Sequence, residues 1–150
     1  MGRRLGELLA RSLAAKDAMA LRQILQSDVD FRAMTPGKFW ESNNVDVIVD
    51  ETILGIWFGG DRQITEILAV ETDSIGSLNR VGYRLRVESP DGDFVIEQQA
   101  YFATHDDKIA WLRIMCTGFL SSSHPGPEGM VIDQRRLEAG GGVPLQTPGP

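Results

Sequence analysis

The sequence predicts an α+β domain in which three helical segments precede a long antiparallel meander. Two observations carry that expectation. Apolar residues recur at helical spacing from Leu5 to Leu25 and again from Val45 to Trp57. From Arg80 to Phe119 the pattern turns to alternation, broken at Ser89-Pro90-Asp91-Gly92-Asp93 and at His105-Asp106-Asp107-Lys108.

In chain order, Leu5, Leu8, Leu9 and Leu13 mark one face of a first helix, with Glu7 and Arg11 between them. Asp17 is an N-cap for a short second helix through Leu25, ended by Ser27-Asp28. Val29 to Met34 alternates as a strand, and Thr35-Pro36-Gly37 stops it. Phe39 and Trp40 follow in an irregular segment, where Trp40 folds back over apolar surface at a pocket rim. Ser42-Asn43-Asn44 caps a third helix, which carries Ile48, Val49, Ile53 and Trp57 on one side and Asp46 and Asp50 on a solvated one. Phe58-Gly59-Gly60 ends it. Ile64 to Thr72 is a strand, and Asp73 to Asn79 a connecting loop. The domain is expected over residues 1–120, with 121–150 a Gly/Pro-rich, largely irregular or disordered tail.

The bulk properties narrow the function classes. A net charge of −6 over 150 residues argues against nucleic acid or an anionic membrane as partner. A single cysteine, Cys116, forms no disulfide within the chain and fits a reducing, cytoplasmic setting. No apolar run reaches the ~20 residues that span a bilayer. No His/Cys/Asp/Glu cluster has metal-ligand spacing and no Gly-rich loop opens a helix, so neither a metal nor another cofactor is implied.

Turn chemistry sets the register of the meander. Pro90 and Gly92 suit a three-residue loop with a bulge, pairing Ser89 with Asp93 and Tyr83 with Gln99. A two-residue tip at Asp106-Asp107 then sets Gln99 opposite Ile114. One face thereby carries Tyr83, Glu97, Gln99, Tyr101, Leu112, Ile114 and Cys116. A two-residue Asp91-Gly92 loop would instead put Arg84 and Arg86 beside Glu97.

On the first register, Glu97 is a carboxylate in an apolar pocket and the candidate catalytic general acid or base. Tyr83 and Tyr101 would offer hydroxyls to a ligand oxygen, Gln99 would orient it, and Leu112, Ile114, Trp40 and Trp57 would line the pocket. The structural alternative has Glu97 accepting hydrogen bonds, or lying at the pocket's wet mouth, and both tyrosines in the core. The opposite face would expose Phe94, Ile96, Phe102, Trp111, Arg113 and Met115. So large an apolar patch fits a homodimer interface, unless the tail covers it.

The order of elements, with Ser27-Asp28-Val29-Asp30-Phe31, Ile56-Trp57-Phe58 and Asp107-Lys108-Ile109-Ala110-Trp111-Leu112-Arg113, resembles the NTF2-like superfamily, particularly its SnoaL-like and ketosteroid-isomerase-like members. Glu97-Gln98-Gln99-Ala100-Tyr101 and Cys116-Thr117-Gly118-Phe119 resemble a subset of it. The resemblance implies a cone, a bent antiparallel sheet wrapped around three N-terminal helices, with a pocket for a small, largely apolar ligand, and often a dimer. It also implies an acid near Ala33 in isomerase-like members, or near Ile114 in hydrolase-like and cyclase members. Neither acid is present. Acid–base isomerisation, cyclisation or hydration would then rest on Glu97 alone.

Overall fold

The computed structural model describes residues 2–122. Helix α1 spans Gly2–Ala14 and α2 spans Ala18–Ile24. Leu5, Leu9 and Leu13 of α1 are buried, each stabilising by about 2 kcal/mol. A Cβ on Gly6 would stand 3.0 Å from that of Val81, so this helix lies close across the sheet. Asp17 caps α2 as expected, accepting a 3.0 Å hydrogen bond from the Ala20 amide.

Strand β1, Leu25–Thr35, begins where α2 ends, earlier than the alternation at Val29 indicates. The segment expected to be irregular is strand β2, Lys38–Ser42, hairpinned onto β1. Adjacent Phe39 and Trp40 hide its alternation, because the two rings lie on opposite faces of the sheet.

The third helix, α3, covers Val47–Trp57 and is π-helical. Its last bond runs from the Phe58 amide to the Ile53 carbonyl, five residues back. Buried positions Ile48, Val49, Thr52, Ile53 and Trp57 recur every four or five residues, matching that wider turn. The acids read as a solvated face are exposed, and both engage Arg22 of α2; Asp46 Oδ1 accepts from its Nε at 2.9 Å, and Asp50 pairs with its Nη2. Gly60, with φ 66°, leaves the helix.

Four long strands and a short one follow: β3 Gln63–Ile75, β4 Leu78–Ser89, β5 Gly92–His105, β6 Lys108–Cys116 and β7 Leu120–Ser121. The expected loop over 73–79 is only the Gly76-Ser77 turn of a β3–β4 hairpin. The sheet order is β2-β1-β6-β5-β4-β3, and β7 pairs with β5. β1 and β6 run parallel, so the bent sheet is mixed rather than purely antiparallel. Strand β7 carries the folded region just past residue 120; the tail expected beyond it lies, from 123 on, outside the described residues.

The register differs from expectation in an instructive way. The first turn is the two-residue Pro90-Asp91, pairing Ser89 with Gly92 and Tyr83 with Gln98. The second turn has the expected Asp106-Asp107 tip, both residues at positive φ. A bulge at Ala110 then shifts the pairing, so Gln98 rather than Glu97 meets Cys116. Each change moves the register by one residue, and the two compensate. β4 and β6 keep their expected faces; β5 alone is inverted.

Candidate functional site

The inversion decides what the cone contains. Phe94, Ile96, Gln98, Ala100 and Phe102 of β5 point into the core with Val81, Tyr83, Leu85 and Val87 of β4 and Leu112, Ile114 and Cys116 of β6. Phe94, Ile96 and Phe102, expected at an exposed interface, are therefore core residues. Gln98 is fully buried, and no expectation from the sequence placed it inside. Its Oε1 accepts a 2.6 Å hydrogen bond from the Tyr83 hydroxyl. Its amide also acts on the Cys116 sulfur. Sulfur is a weak acceptor, and among the described residues Gln98 Nε2 has no full hydrogen-bond partner. The buried Trp57 Nε1 has none either.

The polar groups gathered at Gln98, Tyr83 and Cys116 are uncharged. Burial pushes the Tyr83 hydroxyl well above its ordinary range, and the neighbouring Cys116 adds to the shift. Burial also raises the Cys116 thiol to about 11, against smaller opposing hydrogen bonds from Gln98 and the Gly118 amide. Among the described residues no Asp or Glu is buried. Such an interior can donate to a neutral acceptor, but near neutral pH it holds no group ready to take a proton.

Trp40 and Trp57, expected at the pocket, do meet. Their rings pack edge to face at 6.0 Å, and Trp40 Nε1 donates to Thr35 Oγ1 at 2.8 Å. Arg62 went unremarked in the sequence. It is buried, donates from Nη1 to the last α3 carbonyls of Ile56 and Trp57 at 2.9 and 3.0 Å, and lies 4.7 Å over the Phe119 ring. A basic residue just past a helix end is the signal that could have found it.

Glu97, Gln99 and Tyr101 project from the other face. Glu97 Oε1 accepts from Arg84 Nη2 and Nε at 2.8 and 3.0 Å, and Oε2 accepts from Gln99 Nε2 at 2.9 Å. Partial burial pushes this carboxyl up, but the bonds from Arg84 and Gln99 and the charge of Arg80 outweigh it and hold it below the usual range. Gln99 Oε1 accepts from Arg80 Nη1 at 2.7 Å, and Arg80 Nε donates to Asp73 at 2.8 Å. Over β3 to β5 the outer face is thus a ladder of paired charges.

Over β1, β2 and β6 it is different. Here a groove of about 390 Å³ runs between Arg32, Met34, Phe39, Tyr101, Arg113 and Met115, with Ala33 and Ile114 between them. Met34 lies opposite both Met115 and Phe39, and Tyr101 lies opposite Arg113. Met34, Phe39 and Met115 are about half exposed, at 48%, 56% and 56%. Of the residues expected to surround a ligand, Tyr101 and Ile114 border this groove, whereas Tyr83 and Leu112 are core. Of those expected at an interface, Arg113 and Met115 line it and Trp111 lies beneath Arg113, 4.2 Å from its guanidinium.

Solved structures superpose on this arrangement of helices and sheet. An LEH-like epoxide hydrolase from M. tuberculosis matches with a TM-score of 0.60 at 12% identity, over 92% of this chain and 95% of the other. A SnoaL-like protein from a Jannaschia species matches at 0.58 and 12%, over 77% and 84%. An NTF2-like protein from Burkholderia thailandensis matches at 0.58 and 12%, over 77% and 90%. The chain has the NTF2-like fold. No family model and no curated protein matches the sequence. At such identities the NTF2-like likeness carries the fold and no residue roles. Ala33 and Ile114, near which the resemblance implies an acid, are both buried and pair across β1 and β6.

Proposed function

We propose that this NTF2-like chain is a binding protein for a small, largely apolar ligand, held at the groove over β1, β2 and β6. The observation that carries the reading is the groove itself: about 390 Å³, with exposed methionine and aromatic side chains on an otherwise charge-paired sheet face. Acid–base catalysis by Glu97, the alternative, has less support. A general base working near neutral pH needs a raised pKa and a sheltered position. This carboxyl is lowered, ion-paired, and on the face opposite Tyr83.

The same exposed patch favours a second reading, a homodimer through this face with Arg113 and Met115 at its centre. One experiment separates the two. Phe39→Asp and Met115→Asp should abolish enhancement of an apolar fluorescent probe while leaving the thermal midpoint within a few degrees. Size-exclusion chromatography of the same proteins should show one unchanged size. A wild type that binds no probe ends the ligand reading. A wild type of double mass that the substitutions make monomeric establishes the dimer instead.

A further inference from the structure

Arg32 and Arg113 face one another across β1 and β6, in the row next to Met34 and Met115. Like charges directly opposed on a sheet repel. Their acidic partners only partly answer them. Among the described residues Arg32 has a single ion pair, Nε to Glu41 Oε2, at 3.9 Å, too long for a hydrogen bond. Toward the described residues Arg113 uses Nη1, donating to the Asp30 carbonyl at 2.8 Å, to Asp30 Oδ1 at 3.1 Å and to the Leu112 carbonyl at 3.1 Å. The Trp111 ring beneath the guanidinium adds a cation–π contact at the groove wall. Among the described residues, these two guanidinium groups thus present N–H donors without acceptors at one end of an apolar trough. The planar fork of arginine matches the paired oxygens of a carboxylate.

We infer that the groove takes a soluble medium-chain monocarboxylate, its head between Arg32 and Arg113 and its aliphatic body along Met34, Met115 and Phe39. This rests on the ligand-binding reading above and names the ligand class for it. Flexible, polarisable methionines suit an unbranched chain better than a rigid ring system. Tyr101, opposite Arg113, borders the head end and can donate its hydroxyl to the second carboxylate oxygen.

The test titrates methyl-labelled methionine NMR signals with decanoate and with decyltrimethylammonium, both below their micelle concentrations. Decanoate is expected to move the Met34 and Met115 methyls and to bind at least tenfold more tightly than the cation. Arg32→Gln, a change at an exposed position, should erase that preference, and Arg32→Lys should keep most of it. If the cation binds as tightly as the anion, or Arg32→Gln leaves decanoate affinity unaltered, the head-group assignment is overturned while the groove still binds. If neither amphiphile moves the two methyls, both the assignment and the groove reading fall.

Discussion

Gln98 and Glu97 are neighbours in sequence with opposite fates, and the difference is chemical as well as geometric. An amide can be buried at the cost of one donor, as Nε2 shows, whereas a buried carboxylate would need a cation inside the cone. Glu97 instead has Arg84 beside it in the solvent-facing ladder. Because that carboxyl is lowered from its ordinary 4.5, its pairing stabilises the fold above that value and is lost as pH falls through the native one. Glu97→Gln should therefore cost about 0.5–1 kcal/mol at neutral pH, typical for a pair this exposed. In urea titrations the gap from wild type should close in acid; a gap that persists there would mean the charge contributes nothing. Cys116 carries the opposite sign. Its neutral thiol is favoured by folding, so its contribution is full below 9 and is lost as pH rises through about 11. Cys116→Val should flatten the onset of that alkaline loss. The decline remaining at higher pH belongs to Tyr83, which is raised for the same reason. Equal alkaline profiles for variant and wild type would remove Cys116 from the account.

At the scale of elements, the helix end built on Arg62 is the most exacting feature. A cation donating to the closing carbonyls of α3 completes a terminus that lies within the core. Arg62→Met removes both the donors and the cation over the Phe119 ring, so it should cost about 2 kcal/mol in denaturant unfolding. A loss under about 0.5 kcal/mol would reduce the guanidinium to packing. Just beyond β6, Gly118 sits at φ 79°, where a Cβ would stand 2.6 Å from the Pro36 ring; the chain turns there to return Phe119 to the core. The elements themselves were largely legible. Leu5 to Leu13, the Asp17 cap and the alternation after Arg80 all became what their spacing implies. The pairing of β5 was not. Pro90-Asp91-Gly92 satisfies more than one loop length, and the Ala110 bulge leaves no mark in residue type. Because the two departures compensate, agreement between the turns could not expose the inversion. The candidate site suffered accordingly: Tyr83 and Leu112 kept their side of the sheet, while Glu97, Gln99 and Tyr101 exchanged theirs with Phe94, Ile96, Gln98 and Phe102.

For the whole molecule, the strand order β2-β1-β6-β5-β4-β3 leaves short β2 and twice-bulged β3 as edges. Amide exchange should be slowest in β5 and β6 and fastest in β2 and the outer half of β3, read by mass spectrometry. Protection of β2 matching that of β6 would mean that something further covers the groove edge. Its two sheet faces differ: the interior holds no buried carboxylate among the described residues, and the exterior is part ladder, part groove. The compensating turn and bulge also bear on how such a protein changes over generations. If the Pro90-Asp91 turn took in Gly92 as a third residue and Ala110 joined the ladder in place of its bulge, β5 alone would rotate and both neighbours would stay in place. Substitutions confined to the turn and to the bulge, far from the cone's centre, would thus deliver an acid, an amide and a phenol to its interior with no codon of the strand between them altered.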